Sequence, residues 1–176
     1  MIATGVAPGV ARLTFTVDAA SDSARVGVLG PSSILSTAFV GGQARAEAAP
    51  GATITVPVTF DMTRVSATGD LGSVGFELSY DPALLTFVSG EAGVSGTVVV
   101  NGDSPGTVAF GAISTAAQGS GSLTLVTLTF TVSPSAVPGT GTALGLVYAD
   151  APTNVDVSQL VEYEIPVALG GWLRIR

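Results

Sequence analysis

The sequence predicts an all-β protein built as an antiparallel β-sandwich of the jelly-roll or immunoglobulin-like type. Apolar residues alternate with polar ones along most of the chain, which is typical of strands that bury one face. Glycine or proline interrupts nearly every window that is long enough for a helix. Apolar runs recur about every ten residues with turn residues between them, as two packed sheets require. We expect about nine strands in the sandwich and a separate N-terminal strand pair.

Eleven segments carry the strand pattern. In chain order they are residues 11–17, 24–29, 34–40, 53–60, 72–80, 84–89, 97–101, 107–112, 123–132, 142–148 and 164–173.

The first strand has a near copy later in the chain. Residues 12–17 recur as residues 127–132 with five of six positions identical, and the segments after both copies are also alike. This predicts that residues 1–37 are the end of a preceding module and that residues 38–176 form one complete module. Convergence between two Thr- and Val-rich strands is the alternative. In either case Leu13, Phe15 and Val17 are candidates for an assembly strand, because an orphan strand pair exposes an edge that another chain can pair with.

Two central strands carry irregularities that predict local geometry. Residues 53–60 alternate cleanly, but Pro57 cannot donate to a ladder, which predicts an edge strand or a bulge. In residues 123–132 the inward parity slips once between Leu125 and Leu128, which predicts a β-bulge.

The segment around Tyr80, Asp81 and Pro82 predicts a tight corner between two strands. Proline fixes its own φ and disfavours the helical region for the residue before it. The Asp81 carboxylate can accept backbone N–H groups two or three residues further on, which makes it a turn cap.

A strand that enters Tyr80-Asp81-Pro82 and leaves through residues 84–88 resembles the signature of cohesin-type modules. The likeness spans roughly residues 38–176, and it includes residues 49–58 at the start and a final segment, residues 164–175, that is similar to the closing hairpin of the family. The resemblance implies an extracellular β-sandwich, related to carbohydrate-binding modules, that associates with other proteins. Family cohesins bind dockerins through the exposed face of one sheet, and no motif in this sequence assigns such a contact to a given residue.

The charge balance and composition exclude several classes of function. The 176 residues include thirteen acids against six basic residues, all arginine, for a net charge of −7, so nucleic acid is not an expected partner. The sequence has no cysteine, histidine or lysine, which removes thiol, imidazole and lysine catalysis. No segment approaches the roughly 20 apolar residues of a membrane helix, so we expect no membrane insertion. Although this chain shows no signal peptide, its Thr, Gly, Ser, Val and Ala richness indicates an extracellular or cell-surface protein.

Three groups of residues are candidates for chemistry. A Ca²⁺ site could be formed by Asp150, Asn154 and Asp156, although Asx turns in that loop are the simpler interpretation.

A sugar-stacking site could be formed by Trp172, Tyr148 and Tyr163, whereas packing of Trp172 over one end of the core is the alternative. Glu162 and Glu164 lie on one face if that segment is extended and could then act as a glycosidase pair, whereas solvated acids are the simpler interpretation. We expect no catalytic residues, no enzyme activity and no cofactor other than possible Ca²⁺.

The sequence therefore favours a non-catalytic, extracellular module that scaffolds or binds proteins, with a dockerin-like protein or another copy of itself as partner. Two alternatives stay open: a self-assembling structural subunit of a filament or surface layer that uses strand addition by residues 1–37, and a carbohydrate-binding module that takes polysaccharide.

Overall fold

The computed structural model describes residues 9–17, 20–28, 34–64, 71–94, 96–114, 121–154 and 167–176. Within these residues the chain forms fourteen strands and no helix. The strands are β1 (Gly9–Val17), β2 (Ala20–Val28), β3 (Leu35–Ala38), β4 (Arg45–Ala48), β5 (Thr53–Asp61), β6 (Leu71–Ser79), β7 (Leu85–Ala92), β8 (Thr97–Asn101), β9 (Thr107–Ile113), β10 (Ser122–Val132), β11 (Gly141–Ala143), β12 (Gly145–Asn154), β13 (Val167–Gly170) and β14 (Trp172–Ile175).

The strands are arranged in four sheets. A five-stranded sheet has the order β13-β3-β5-β10-β7, and a four-stranded sheet has the order β12-β6-β9-β8. A three-stranded sheet, β11-β14-β4, and the two-stranded sheet β1-β2 complete the described structure. The predicted all-β sandwich is confirmed, and its two parallel pairs, β13-β3 and β14-β4, lie in the segments that join the beginning and end of the module.

The core lies between the five-stranded and four-stranded sheets. Alternate residues of β5 and β10 are buried on one side, and alternate residues of β6 and β9 are buried on the other. Phe76 of β6 contacts Phe60 of β5 edge to face, with ring centroids 6.1 Å apart, and stacks on Phe110 of β9 at 5.4 Å. Tyr80 meets Phe130 of β10 at 5.0 Å. Aromatic rings therefore join the two layers at two points.

The predicted bulge in β10 is confirmed. The register between β10 and β5 shifts between Thr124 and Val126, which leaves Leu125 as the extra residue. Leu125 and Val126 are both buried, so two consecutive side chains enter the core at the point where the parity changes.

The Tyr80-Asp81-Pro82 corner forms as predicted. The Asp81 carboxylate accepts the backbone N–H of Ala83 at 2.8 Å, and the Asp81 carbonyl accepts the N–H groups of Leu84 and Leu85. The Asp81 N–H donates to the hydroxyl of Thr142 at 3.1 Å, and Thr142 is buried. The corner is therefore capped by its own aspartate and tied to the segment that leads into β12.

Two long predicted strands are each divided in the structure. The predicted strand 142–148 becomes β11, which pairs with β14, and β12, which pairs with β6; the chain changes sheet at Leu144, whose N–H donates to the Gly171 carbonyl at 2.8 Å. The closing segment is not a hairpin, because β13 runs parallel to β3 and β14 runs parallel to β4. A single residue, Gly171, separates β13 from β14, so the chain continues in one direction instead of reversing.

Pro57 does not mark an edge strand, as the sequence suggested it could, because β5 lies between β3 and β10. The last β3–β5 pair is Ala38 with Val58, and the Thr55 carbonyl accepts the Gly41 N–H at 2.6 Å. Odd-numbered residues in this part of β5 therefore direct their backbone groups to the β3 side. Pro57 falls just past the end of β3, where no ladder donor is needed.

The N-terminal strands form a hairpin of their own. Val26 is opposite Ala11 and Arg12 is opposite Arg25, so by alternation Val26 and Arg12 lie on opposite faces. Val26 exposes 39% of its surface, and Arg12 and Thr14 on the other face are exposed. In the described residues β1 and β2 pair with no third strand. The predicted boundary between residues 37 and 38 falls within β3, which is a strand of the sandwich.

Candidate functional site

Tyr148, a predicted sugar-stacking residue, packs into the core. Its ring lies on Phe76 at a centroid distance of 4.3 Å, and its hydroxyl is 3.1 Å from the Ser36 hydroxyl, which is fully buried. Burial raises the pKa of Tyr148, and the hydrogen bond with Ser36 only partly offsets that rise. The ring is therefore a structural contact and is not available to a sugar.

Trp172, the second of the predicted stacking residues, lies on an outer surface. It exposes 45% of its area, and it belongs to the three-stranded sheet, whereas Tyr148 belongs to the four-stranded one. The alternative that Trp172 covers one end of the core is therefore wrong. Tyr163, the third member of the set, lies outside the described residues, as do Glu162 and Glu164.

The predicted calcium ligands are only partly described. The backbone of Asp150 and Asn154 belongs to β12, which pairs irregularly with β6 at this end, and Asp156 lies outside the described residues. In the described ranges no group of three or more acidic, histidine or cysteine side chains could hold a metal ion. The Ca²⁺ site stays a prediction.

The outer face of the four-stranded sheet exposes three large apolar side chains. Val99 of β8, Ile113 of β9 and Val147 of β12 expose 63%, 61% and 56% of their areas. Together with Gly75 of β6 and Gly111 of β9, they define what we call the apolar face. Solvated faces of antiparallel sheets normally carry polar side chains, so this pattern is typical of a surface that another molecule covers.

The strand register places two glycines in the central row of the apolar face. Gly75 pairs with Asp150 of β12 and with Gly111, and Gly111 pairs in turn with Val99, so two of the four positions in the central row are glycines. Ile113 lies in the row on one side, and Val147, opposite Glu77, lies in the row on the other side. Gly75 is buried and Gly111 is half-buried, so the surface that a partner can contact consists of Val99, Ile113 and Val147.

The apolar face carries little charge. Glu77 is the one charged residue among the described outward positions of β6, β8 and β9; the other ten are Ser73, Gly75, Ser79, Thr97, Val99, Asn101, Thr107, Ala109, Gly111 and Ile113. The exposed Val99, Ile113 and Val147 are suited to burying apolar area against a partner.

Sequence reasoning did not find this face. In β8, Val98, Val99 and Val100 are consecutive, so alternation alone does not say which valines point outward. The signal that was available is the pair of glycines in adjacent strands, since glycine inside a strand pattern marks close approach by another backbone or a ligand.

Comparison with protein families decides the classification. The cohesin domain model matches residues 43–161. The chain belongs to the cohesin family. The matched region begins just before β4 and ends after β12, so it contains the corner at Asp81 and every strand of the apolar face. Family membership supports a non-catalytic module for protein–protein interaction.

Solved structures share the fold at low sequence identity. The seventh ScaB type I cohesin of Pseudobacteroides cellulosolvens superposes with a TM-score of 0.69 at 16% identity, covering 82% of this chain and 92% of that one. A non-cellulosomal cohesin of the archaeon Archaeoglobus fulgidus gives 0.63 at 20% identity over 82% and 91%. The Coh-OlpA-Doc918 cohesin–dockerin complex of Clostridium thermocellum gives 0.64 at 20% identity over 81% and 99%. These likenesses establish the cohesin fold.

Two further comparisons are brief. No curated protein matches this sequence. The part of the chain that the structure describes has no helix long and apolar enough to cross a membrane.

Proposed function

We propose that this cohesin domain docks another protein on its apolar face, at the cell surface or outside the cell. The observation that carries the proposal is the outward exposure of Val99, Ile113 and Val147 on one face of the four-stranded sheet. Burying such side chains contributes about 25 cal/mol per Å² of apolar area, which favours association. Dockerins are the proposed partner class, because several structures with the same fold are of cohesin–dockerin complexes.

The substitution Val147→Asp tests the face. It places a carboxylate where the partner excludes water, so we expect the affinity for a dockerin to fall about tenfold to a hundredfold. The measurement is isothermal titration calorimetry against a panel of purified dockerin modules.

Val88→Asp is the matched control, because Val88 has the same 56% exposure as Val147 but lies in β7 of the other large sheet. We expect it to bind within about twofold of the unaltered protein. Equal losses in the two variants would show that the apolar face is not the docking surface. Absence of binding across the whole dockerin panel would remove dockerins as the partner class.

A second candidate is self-assembly, which the hairpin β1-β2 favours. A two-stranded sheet is marginally stable alone, and this one has free edges on both strands within the described residues. Strand β1 contains the proposed assembly residues Leu13, Phe15 and Val17, and Val26 of β2 is exposed. In this proposal residues 1–37 supply the assembly segment and residues 38–176 the cohesin module.

Opposite faces of the hairpin provide the test. We expect the protein to self-associate with rising concentration, Val26→Asp to reduce the association, and Thr14→Asp, on the polar face, to leave it unchanged. Light scattering coupled to size-exclusion chromatography measures the mass. A monomer at every concentration would exclude self-assembly, and equal effects of the two variants would exclude the apolar side of the hairpin as the contact.

A further inference from the structure

The outer face of the three-stranded sheet combines an exposed indole with charged side chains. Trp172 pairs with Arg45 of β4, and Arg174 pairs with Glu47. Ala143 of β11 lies opposite Trp172 on the other side. All five residues are exposed, and they define what we call the tryptophan face. The family match covers residues 43–161, so Arg45 and Glu47 lie inside the matched region and Trp172 lies outside it.

A glycine determines how the indole lies. A Cβ atom at Gly141 would be 3.1 Å from both Nε1 and Cζ2 of Trp172, closer than side chains normally pack. The indole therefore leans across the bare backbone of Gly141 instead of standing away from the sheet. The residue stays 45% exposed, so a large part of the side chain is accessible to a ligand.

Arginines outnumber acids among the described residues of the tryptophan face. Three of the six arginines of the chain (Arg45, Arg174 and Arg176) lie on the exposed side of β4, β14 and the residue that follows, and Glu47 is the one acid among the described residues of these strands. Arg174 Nη1 lies 3.8 Å from Glu47 Oε1. An exposed pair at that separation contributes about 0–1 kcal/mol, so a ligand carboxylate can compete for the guanidinium.

We infer that the tryptophan face binds a polysaccharide that carries carboxylates, such as a polyuronate. The C–H face of a pyranose ring packs on the flat indole, and a guanidinium takes the carboxylate of the same or the next sugar through paired N–H donors. This site differs from the three-aromatic platform that the sequence suggested, because Tyr148 is in the core and arginines stand beside the indole.

The single tryptophan of the chain makes the site directly observable. Trp172 is the only tryptophan, so its fluorescence reports this face alone. Oligogalacturonate is the probe, with a neutral galactan oligomer of the same length and poly-glutamate as comparison ligands. We expect oligogalacturonate to change the emission saturably, the neutral oligomer to bind at least tenfold more weakly, and poly-glutamate to give no saturable change. Calorimetry on Trp172→Ala should show at least a tenfold loss of affinity for oligogalacturonate.

Two arginine variants distinguish a direct contact between Arg174 and the ligand from a general effect of net charge on binding. Arg174→Gln should weaken oligogalacturonate binding at least tenfold, whereas Arg64→Gln, which removes the same charge away from this face, should leave it within about twofold. Equal losses in both variants, equal binding of the neutral oligomer, or equal binding of poly-glutamate would overturn the inference. So would an unchanged emission. Val147→Asp should not alter the response, so this inference and dockerin binding can fail independently.

Discussion

Replacing Phe76 with alanine is expected to lower the free energy of unfolding by about 3–5 kcal/mol. Phe76 is fully buried, and its ring contacts Phe60 across the sandwich as well as Phe110 and Tyr148 within its own sheet. Removing it leaves a cavity between the two layers, and it also removes the ring on which Tyr148 packs. Chemical denaturation followed by circular dichroism measures the change.

The control for this prediction is Val99→Ala, which truncates a side chain of the same four-stranded sheet that is 63% exposed. A surface truncation of this kind is expected to change stability by no more than about 0.5 kcal/mol. If Phe76→Ala lowered the free energy of unfolding by less than about 1 kcal/mol, other residues would provide most of the stabilising packing between the sheets.

Gly170→Ala is expected to have an effect of similar size for a different reason. A Cβ atom at position 170 would overlap the carbonyl oxygen of Leu144 and lie 2.8 Å from the carbonyl carbon of the same residue. Both atoms belong to the backbone at the point where the chain changes sheet, so they cannot move as a side chain can. We expect a loss of about 3 kcal/mol or more, or failure to fold, because overpacking against backbone exceeds the usual 1–3 kcal/mol.

Gly111→Ala is the matched control, because its added methyl group would meet its nearest atom, the Val74 carbonyl oxygen, at an ordinary 3.7 Å. Alanine in a strand costs less conformational entropy than glycine, so stability should stay the same or rise by up to about 1 kcal/mol. Thermal unfolding of the two variants under identical conditions makes the comparison. Similar melting temperatures would mean that the backbone at Leu144 can adjust.

Local chemistry made much of the fold predictable. Asp81 caps its turn because its carboxylate lies within reach of the backbone N–H two residues further on. This contact is local, so the sequence alone predicts it. The bulge at Leu125 was equally predictable, since a β-bulge is the usual way for the buried positions of a long strand to change parity.

Features that depend on distant partners were not predictable. β4 consists of Arg45, Ala46, Glu47 and Ala48, which have low β propensity, and it is a strand because β14 pairs with it. The change of sheet at Leu144 has no local signature, since both halves of that segment read as one strand. Pro57 was misjudged because β5 is not an edge strand. Its missing N–H breaks no hydrogen bond, because the pairing of β3 with β5 ends at Val58, and local sequence does not reveal the length of β3.

The candidate surfaces were the least predictable part. The sequence does not say which valines of β8 point outward, and it does not say that Tyr148 reaches Ser36 in the core while Trp172 stays outside. Alternation divides the residues of a strand into two sets, one on each face of the sheet. Which set is exposed depends on how the sheets pack, and the sequence does not show this.

The parallel pairs at the two ends of the module have a mechanical consequence. β3 and β13 run in the same direction, as do β4 and β14, so the chain enters beside the start of β13 and leaves beside the end of β4. Tension applied between residue 34 and residue 176 therefore pulls along these strands and loads their hydrogen bonds in shear. Bonds loaded in shear share the force and must break together, whereas a hairpin pulled from one end opens one bond at a time. We therefore expect the module to resist stretching along the line of the chain.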